Sequence, residues 1–294
     1  MSINKNQFAD GLEIMRRPIL PLARLAMLLY LTGPFETVEE LLAELVEPIE
    51  TGGRNYEQPG QFLQEFLSPL RLMESLKNAR PPAARILDEN QDPLDPMEGL
   101  ELLISQQALT MELEKINSLL CRPCGCKLCC IGPEDTLAQE YFEIPLTEDE
   151  SRLFALSVVN NDLSRKSLPA DEPPVTINGR PFYEGESRIY HWRSGWSMVL
   201  PRHTSCPALD RETGGCRIYP DRPEVCRRPQ IFPYVLERQP SLDIEYEGRV
   251  LQTFIRQKKL LAVWDCPYVK TLKDEIADYA EACELEPVFR ENKA

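Results

Sequence analysis

Histidine is nearly missing from this chain: 2 residues in 294, beside 10 cysteines. Basic charge is also short. The 33 Lys and Arg face 47 Asp and Glu, for a formal net charge of −14. That balance argues against a general nucleic-acid binder, because neutralising phosphates takes clustered cations. Glycine is sparse at 14 against 26 prolines, which predicts many short, interrupted elements. No long apolar run is present. The most apolar stretch, Leu25 to Leu31, falls far below the roughly 20 residues of a membrane-spanning helix. It has no small-residue cleavage site after it, so neither a membrane span nor a signal peptide is expected. A cytoplasmic, reducing location is the expectation, and there clustered thiols read as metal-binding or catalytic rather than as disulfides. The first 120 residues contain no Gly-rich phosphate loop, no His-Glu-x-x-His and no nucleophile elbow.

What is present suffices for a packed core. Hydrophobic residues make up 43% and aromatics 8%, which excludes global disorder. The length allows one large domain or two moderate ones. Thr37-Val38-Glu39-Glu40 is a capping-box pattern ahead of Leu41, Leu42, Leu45 and Val46. Phe62, Leu63, Phe66, Leu67 and Leu70 recur at helical spacing, interrupted by Pro69. After a loop over Asp92 to Pro96, the cleanest helical pattern runs from Met97 to Leu120 and leads straight into Cys121. Thr147-Glu148-Asp149-Glu150 is a second capping box, predicting a helix to about Val159. Leu168 to Pro181 reads as loop, and Arg188 to Leu200 as a hairpin around Ser194-Gly195. Ile231 to Leu236 and Val250 to Trp264 are strand or helix, and Tyr268 to Glu284 is helical.

The thiols carry the chemistry. Cys121, Cys124, Cys126, Cys129 and Cys130 fall within ten residues. Two-residue spacing lets two thiolates face one ion, which suits tetrahedral zinc or an iron–sulfur cluster. The spacing Cys121-x4-Cys126-x2-Cys129 also fits the plant-type iron–sulfur pattern. A second group is Cys206-x9-Cys216-x9-Cys226, with Cys266 further on before Pro267. Its spacings are too wide for a local knuckle, so the two groups are expected to meet at a common centre. Cys283 lies on an amphipathic pattern and reads as a buried thiol.

The string Cys206-Pro207, Gly215-Cys216-Arg217-Ile218-Tyr219, Arg222-Pro223-Glu224-Val225-Cys226-Arg227 resembles the YkgJ-like cysteine-cluster proteins over roughly residues 119–270. That family carries a CxxCxxCC signature and is described as chelating zinc or iron. Here the signature is stretched by an extra Cys, to Cys121-x2-Cys124-x-Cys126-x2-Cys129-Cys130. The resemblance implies a metal centre and leaves the helical first 120 residues unexplained. Some flagellin lysine methylases carry similar cysteine strings, which keeps a group-transfer enzyme among the readings.

Residues 188–270 oppose the overall charge, with 14 basic against 9 acidic side chains. Arg222, Arg227 and Arg228 flank Cys226 there. They are expected to donate hydrogen bonds to thiolates, with an anion site as the alternative. Tyr219 and Pro223 are expected to shape the turn, Trp192 and Trp196 to pack beside the metal centre. His191 and His203 read as ordinary polar residues. The expectation is therefore a soluble, mostly helical α+β protein. A helical region over 1–118 packs on a metal-stapled cysteine-cluster region over 119–294, with a short antiparallel sheet and a C-terminal helix. Its candidate ligands are Cys121, Cys124, Cys126, Cys129, Cys130, Cys206, Cys216, Cys226 and Cys266, nine thiols for at most eight positions in two tetrahedral sites. Three functions remain open: a zinc- or iron-thiolate binding protein, an iron–sulfur redox protein, and a metal-dependent enzyme resembling a protein methylase. No nucleic acid or membrane is expected as partner; a protein partner is left open.

Overall fold

The computed structural model describes residues 5–78, 84–135, 138–171, 175–227 and 230–290. It corrects the mostly helical expectation. About 43% of the described residues are helical and 25% are strand, spread over several sheets. The α+β class stands, but a single short antiparallel sheet does not. Contacts divide the chain into two compact units, residues 1–120 with 230–291 and residues 121–229. The segment after Gln230 thus groups with the N-terminal residues, where a linear reading of the chain runs it on from the cysteines. Among the described residues no helix is long and apolar enough to cross a membrane.

In the first unit, Thr37 caps the helix Val38–Glu44 as its sequence requires: its hydroxyl accepts from the Glu40 N–H at 3.2 Å. The long helix Pro96–Cys124 opens on Asp95, whose carboxylate accepts from the Met97 N–H at 2.8 Å, with Pro in the first turn where its missing N–H costs nothing. Leu109, Leu113, Ile116 and Leu120 are buried along one face of it. A four-stranded mixed sheet completes the unit. Its central strand, Thr253–Val263, runs antiparallel to Ile231–Arg238 and parallel to Glu286–Arg290 and Arg85–Leu87. The two long apolar runs that periodicity left ambiguous are therefore both strands.

Two amides on the long helix complete that sheet. The ladder between Ile231–Arg238 and Thr253–Val263 shifts register between Tyr234 and Leu236. There the Gln106 side chain accepts from the Val235 and Leu236 N–H groups at 2.9 and 3.1 Å and donates to the Pro233 carbonyl at 3.1 Å. Asn117, three turns on, donates to the Ile231 carbonyl at 2.7 Å and accepts from the Tyr268 hydroxyl at 2.7 Å. Backbone groups that a bulge would leave unpaired are thereby satisfied.

The cysteine-cluster unit holds a second four-stranded sheet, in the order Tyr141–Leu146, Gly195–Pro201, Arg188–Trp192, Val158–Val159. The expected hairpin is its centre, turning at Gly195 with a positive φ of 118°. The second capping box also forms, but its helix stops at Ser151. The apolar residues beyond it lose helical spacing, and β-branched Val158 and Val159 pair in parallel with Ile189 and Tyr190.

Between the two helix amides lies Glu112, fully buried. Its carboxyl accepts from the Ile19 N–H at 2.9 Å and from the Tyr279 hydroxyl at 2.5 Å. Burial outweighs both donors and pushes its pKa up to about 8. The folded state therefore holds a proton that the unfolded chain, with a carboxyl near 4.5, releases earlier. Stability from this group is complete at low pH and is lost as pH rises from about 4.5 through 8, on the order of 1 kcal/mol per pH unit. We expect thermal melts of Glu112→Gln to show a shallower fall between pH 5 and 8 than the wild type. Parallel curves would refute the buried neutral carboxyl.

Candidate metal centre

The first cysteine group is split across two kinds of backbone. Cys121 and Cys124 occupy the last turn of the helix Pro96–Cys124, three residues apart and so on one side of it. Gly125 ends the helix with a left-handed φ of 63°. Cys126 follows in the loop. Cys129 and Cys130 sit in the short turn Leu128–Cys130, closed by the Cys130 N–H donating to the Lys127 carbonyl at 2.8 Å.

The second group is brought to the first by main-chain pairing. The Cys206 N–H donates to the Cys130 carbonyl at 2.8 Å, and the Gly132 N–H to the Thr204 carbonyl at 2.9 Å, with Ile131 opposite Ser205 in antiparallel register. A tight excursion follows. Leu209 pairs with Cys216, the Arg217 N–H donates to the Ala208 carbonyl at 2.8 Å, and the Asp210 carboxylate accepts from the Glu212 and Thr213 N–H groups. Cys206 and Cys216 are thus returned to one another and pack, with Trp196 and Ile218, on the apolar cluster of Leu146, Ile189, Met198 and Leu200. Trp192 belongs to the neighbouring aromatic cluster with Phe182 and Tyr190, its indole N–H donating to the Ser197 hydroxyl at 3.0 Å. Cys226 lies on the single turn Glu224–Arg227. That turn is anchored by Glu150, which accepts from the Glu224 N–H at 2.7 Å with one oxygen and from the Thr147 N–H at 2.8 Å with the other.

Electrostatics tie the thiols together. Burial, then the neighbouring Cys129, push the Cys121 thiol up to about 11. Burial, then Cys129, Cys206 and Cys216, push Cys226 up to about 12. Cys206 is raised by burial, with Cys216 and Cys129 adding to it. Cys129 and Cys130, with sulfurs 4.0 Å apart, are hydrogen-bonded to each other, and that contact lowers Cys129 and raises Cys130. The cation opposing these shifts is Arg222, which favours the thiolate at Cys121, Cys129 and Cys226. Its guanidinium is almost fully buried and stacks 3.8 Å above the Tyr219 ring, while Arg122, next to Cys121, approaches that ring at 5.5 Å. Arg227 acts on Glu150, and its buried Nε has no hydrogen-bond partner among the described residues. Arg228 lies outside the described residues.

Cys121, Cys126, Cys129, Cys130, Cys206, Cys216 and Cys226 therefore act on one another within one unit, and Cys124 shares the helix turn of Cys121. All ten cysteines are free thiols. They are gathered but not closed on an ion: among the described residues no three His, Cys, Asp or Glu are spaced to hold a metal. Cys266 and Cys283 belong to the other unit and are buried at 3% and 0% exposure. Cys266 is the residue before the helix Pro267–Thr271, and Cys283 abuts Tyr279 and Glu112. His191 stacks on Trp196 at 4.4 Å and contacts the Asn160 amide, and exposed His203 faces Asp135 at 3.0 Å. Sequence reasoning missed Glu150 as an anchor of the Cys226 turn. Its signal was the capping box itself, which leaves one carboxylate oxygen available.

Gly132 is the tightest point of the assembly. A Cβ there would lie 1.9 Å from the Pro201 carbonyl oxygen, a backbone atom that cannot swing aside. We expect Gly132→Ala to spread the Cys130–Cys206 pairing, costing about 1–3 kcal/mol as overpacking does, and to lower bound metal. Thermal melts with metal analysis check this; a variant equal to wild type in both would show that the pairing is not needed.

Residues 120–245 match a family model described as a putative zinc- or iron-chelating domain, named CxxCxxCC. No curated protein and no solved structure matches the chain. The matched segment begins at the helix turn that carries Cys121, and it spans Cys226 as well as the whole paired ladder. Over this segment the chain is similar to the CxxCxxCC cysteine-cluster family, as the cysteine strings themselves suggested.

Proposed function

We propose that the cysteine-cluster unit is a thiolate metal centre that holds zinc and thereby fixes its own loops. The ligands are drawn from Cys121, Cys124, Cys126, Cys129, Cys130, Cys206, Cys216 and Cys226, and Cys266, in the other unit, is the spare of the nine. The observation that carries the reading is the main-chain pairing of Cys130 with Cys206, which joins two groups 76 positions apart in numbering. Eight soft sulfur donors without a carboxylate among them suit zinc or iron rather than magnesium or calcium. The raised thiols of Cys121, Cys206 and Cys226 support the reading: burial and mutual repulsion keep protons on those sulfurs, and a dication would replace the protons with a stronger positive charge. Arg222 supplies part of that compensation, as a residue near metal-bound sulfur commonly does.

An iron–sulfur cluster is the second reading, favoured by the adjacent Cys129 and Cys130, whose sulfurs lie 4.0 Å apart. Group transfer at an open metal position stays subordinate to these two. Anaerobic purification separates them. We expect a colourless protein with about two zinc ions per chain, as eight thiolates in tetrahedral sites allow. A brown protein that bleaches on reduction would replace zinc by iron–sulfur, and protein with no bound metal would sink both.

Substitution tests the ligand set. Cys216→Ser and Cys226→Ser are expected to lose bound metal and several degrees of melting temperature, because ligand free energy is also folding free energy. Cys283→Ser is expected to keep its metal and lose only a modest burial contribution. Equal metal content in all three variants would overturn the assignment.

A further inference from the structure

A cavity of about 420 Å³ lies against the paired ladder, with Ile131–Pro133 on one side and His203–Ser205 on the other. That volume lies within the range of small-molecule sites. Leu209 contributes to its lining, and two cations line it: Lys127 from the first cysteine loop and Arg211 from the tip of the excursion between Cys206 and Cys216. Among the described residues no carboxylate pairs with either. Arg211 donates to the Ser205 hydroxyl at 3.3 Å, and the Lys127 side chain crosses Gly214, whose added Cβ would lie 2.8 Å from the Lys127 Cε. His203 is turned to Asp135 at 3.0 Å on a backbone of positive φ, 60°. The acidic residue of the lining is Glu134, so the cations exceed the acids. The cation named among the largest influences on Cys121, Cys129 and Cys226 is Arg222, which is not part of this lining.

We propose that this cavity is a binding site for a small molecule bearing an oxyanion, phosphate or carboxylate. Arg211 supplies a planar fork for two oxygens and Lys127 a point charge. The Ser205 hydroxyl, already accepting from Arg211, keeps its own proton to donate. The ligand is seated on the same backbone that carries Cys130 and Cys206, so it lies beside the thiolate centre without using any of its sulfurs. This goes beyond metal binding and does not depend on which metal is held.

The test is calorimetric titration of the full-length protein, with its metal as purified, at low ionic strength. Inorganic phosphate is one titrant and succinate the other, so the two anion classes are told apart. We expect one of them to bind, with affinity falling as salt is raised. Arg211→Gln and Lys127→Gln should each weaken binding by about tenfold or more, the size of a charge-assisted hydrogen bond, at unchanged metal content. Arg211 is the cleaner variant because it lies away from the first cysteine loop. Absence of heat with both titrants, affinities unchanged in both variants, or metal lost from Arg211→Gln would each overturn the proposal. The last result would return that charge to the thiolates.

Discussion

The antiparallel pairing of Cys130–Gly132 with Thr204–Cys206 is the constraint on which the cysteine-cluster unit depends. It continues a register set elsewhere. Tyr141 pairs with Pro201 at the end of the strand Tyr141–Leu146, and Ile131 faces Ser205 just beyond. The apolar hairpin Arg188–Trp192 and Gly195–Pro201 holds that register, because a slip of one residue would exchange the side chains of two different cores, Met198 and Leu200 in one and Val199 in the other. Cys206 packs against the first of these cores, so its place follows from that register. The positions of sulfurs far apart in sequence are thus decided by burial of Ile189 and Leu200, not by any attraction among the sulfurs.

Apart from the hydrogen bond between Cys129 and Cys130, the thiols repel one another once charged. A thiol removed from water and set beside other thiols finds its charged form disfavoured twice, by desolvation and by like charge. The raised values at Cys121, Cys206 and Cys226 express that cost. One buried guanidinium, Arg222, acts on three of the thiols and also stacks on Tyr219, so the turn after Cys216 and the cation that relieves the thiolates are one piece of structure. The excess of thiols over cations is the physical argument for the proposed metal, and it would make binding proton-linked, since every ligated sulfur must first give up its proton.

What was legible in the sequence was local. The two capping boxes, the long helix and the Ser194-Gly195 hairpin all form, because each is specified by residues within a few positions of one another. The length of the helix after Thr147 was not legible, since its stop depends on Val158 and Val159 finding Ile189 and Tyr190. The sheet of the first unit was invisible for the same reason. Arg85–Leu87 and Glu286–Arg290 are short, and they become strands only by lying parallel to Thr253–Val263. Gln106 and Asn117 look like solvent-facing residues in a helical pattern, yet they supply the hydrogen bonds that the strand Ile231–Arg238 lacks. At the candidate site, residue types and spacing named the thiols, eight of which fall in one unit while Cys266 falls in the other. The order in which the chain brings the donors together required the ladder.

The positive stretch over residues 188–270 looked like one field, and the structure divides it by use. Arg202 is bound to Glu140 at 2.9 Å, Arg238 to Asp243 at 2.5 Å, and Arg256 to Glu89 and Glu98 at 2.8 and 2.7 Å. Those cations are matched by carboxylates and leave little net field, and the exposed pairs among them add little stability. Arg222 acts on the thiols of Cys121, Cys129 and Cys226. Net charge counted along a sequence therefore overstates the field any one site feels, because pairing is decided in space. Arg211 is a cation of this stretch that sits on a loop tip with a hydroxyl for its partner, and it stands where the backbone between the two cysteine groups opens into a cavity.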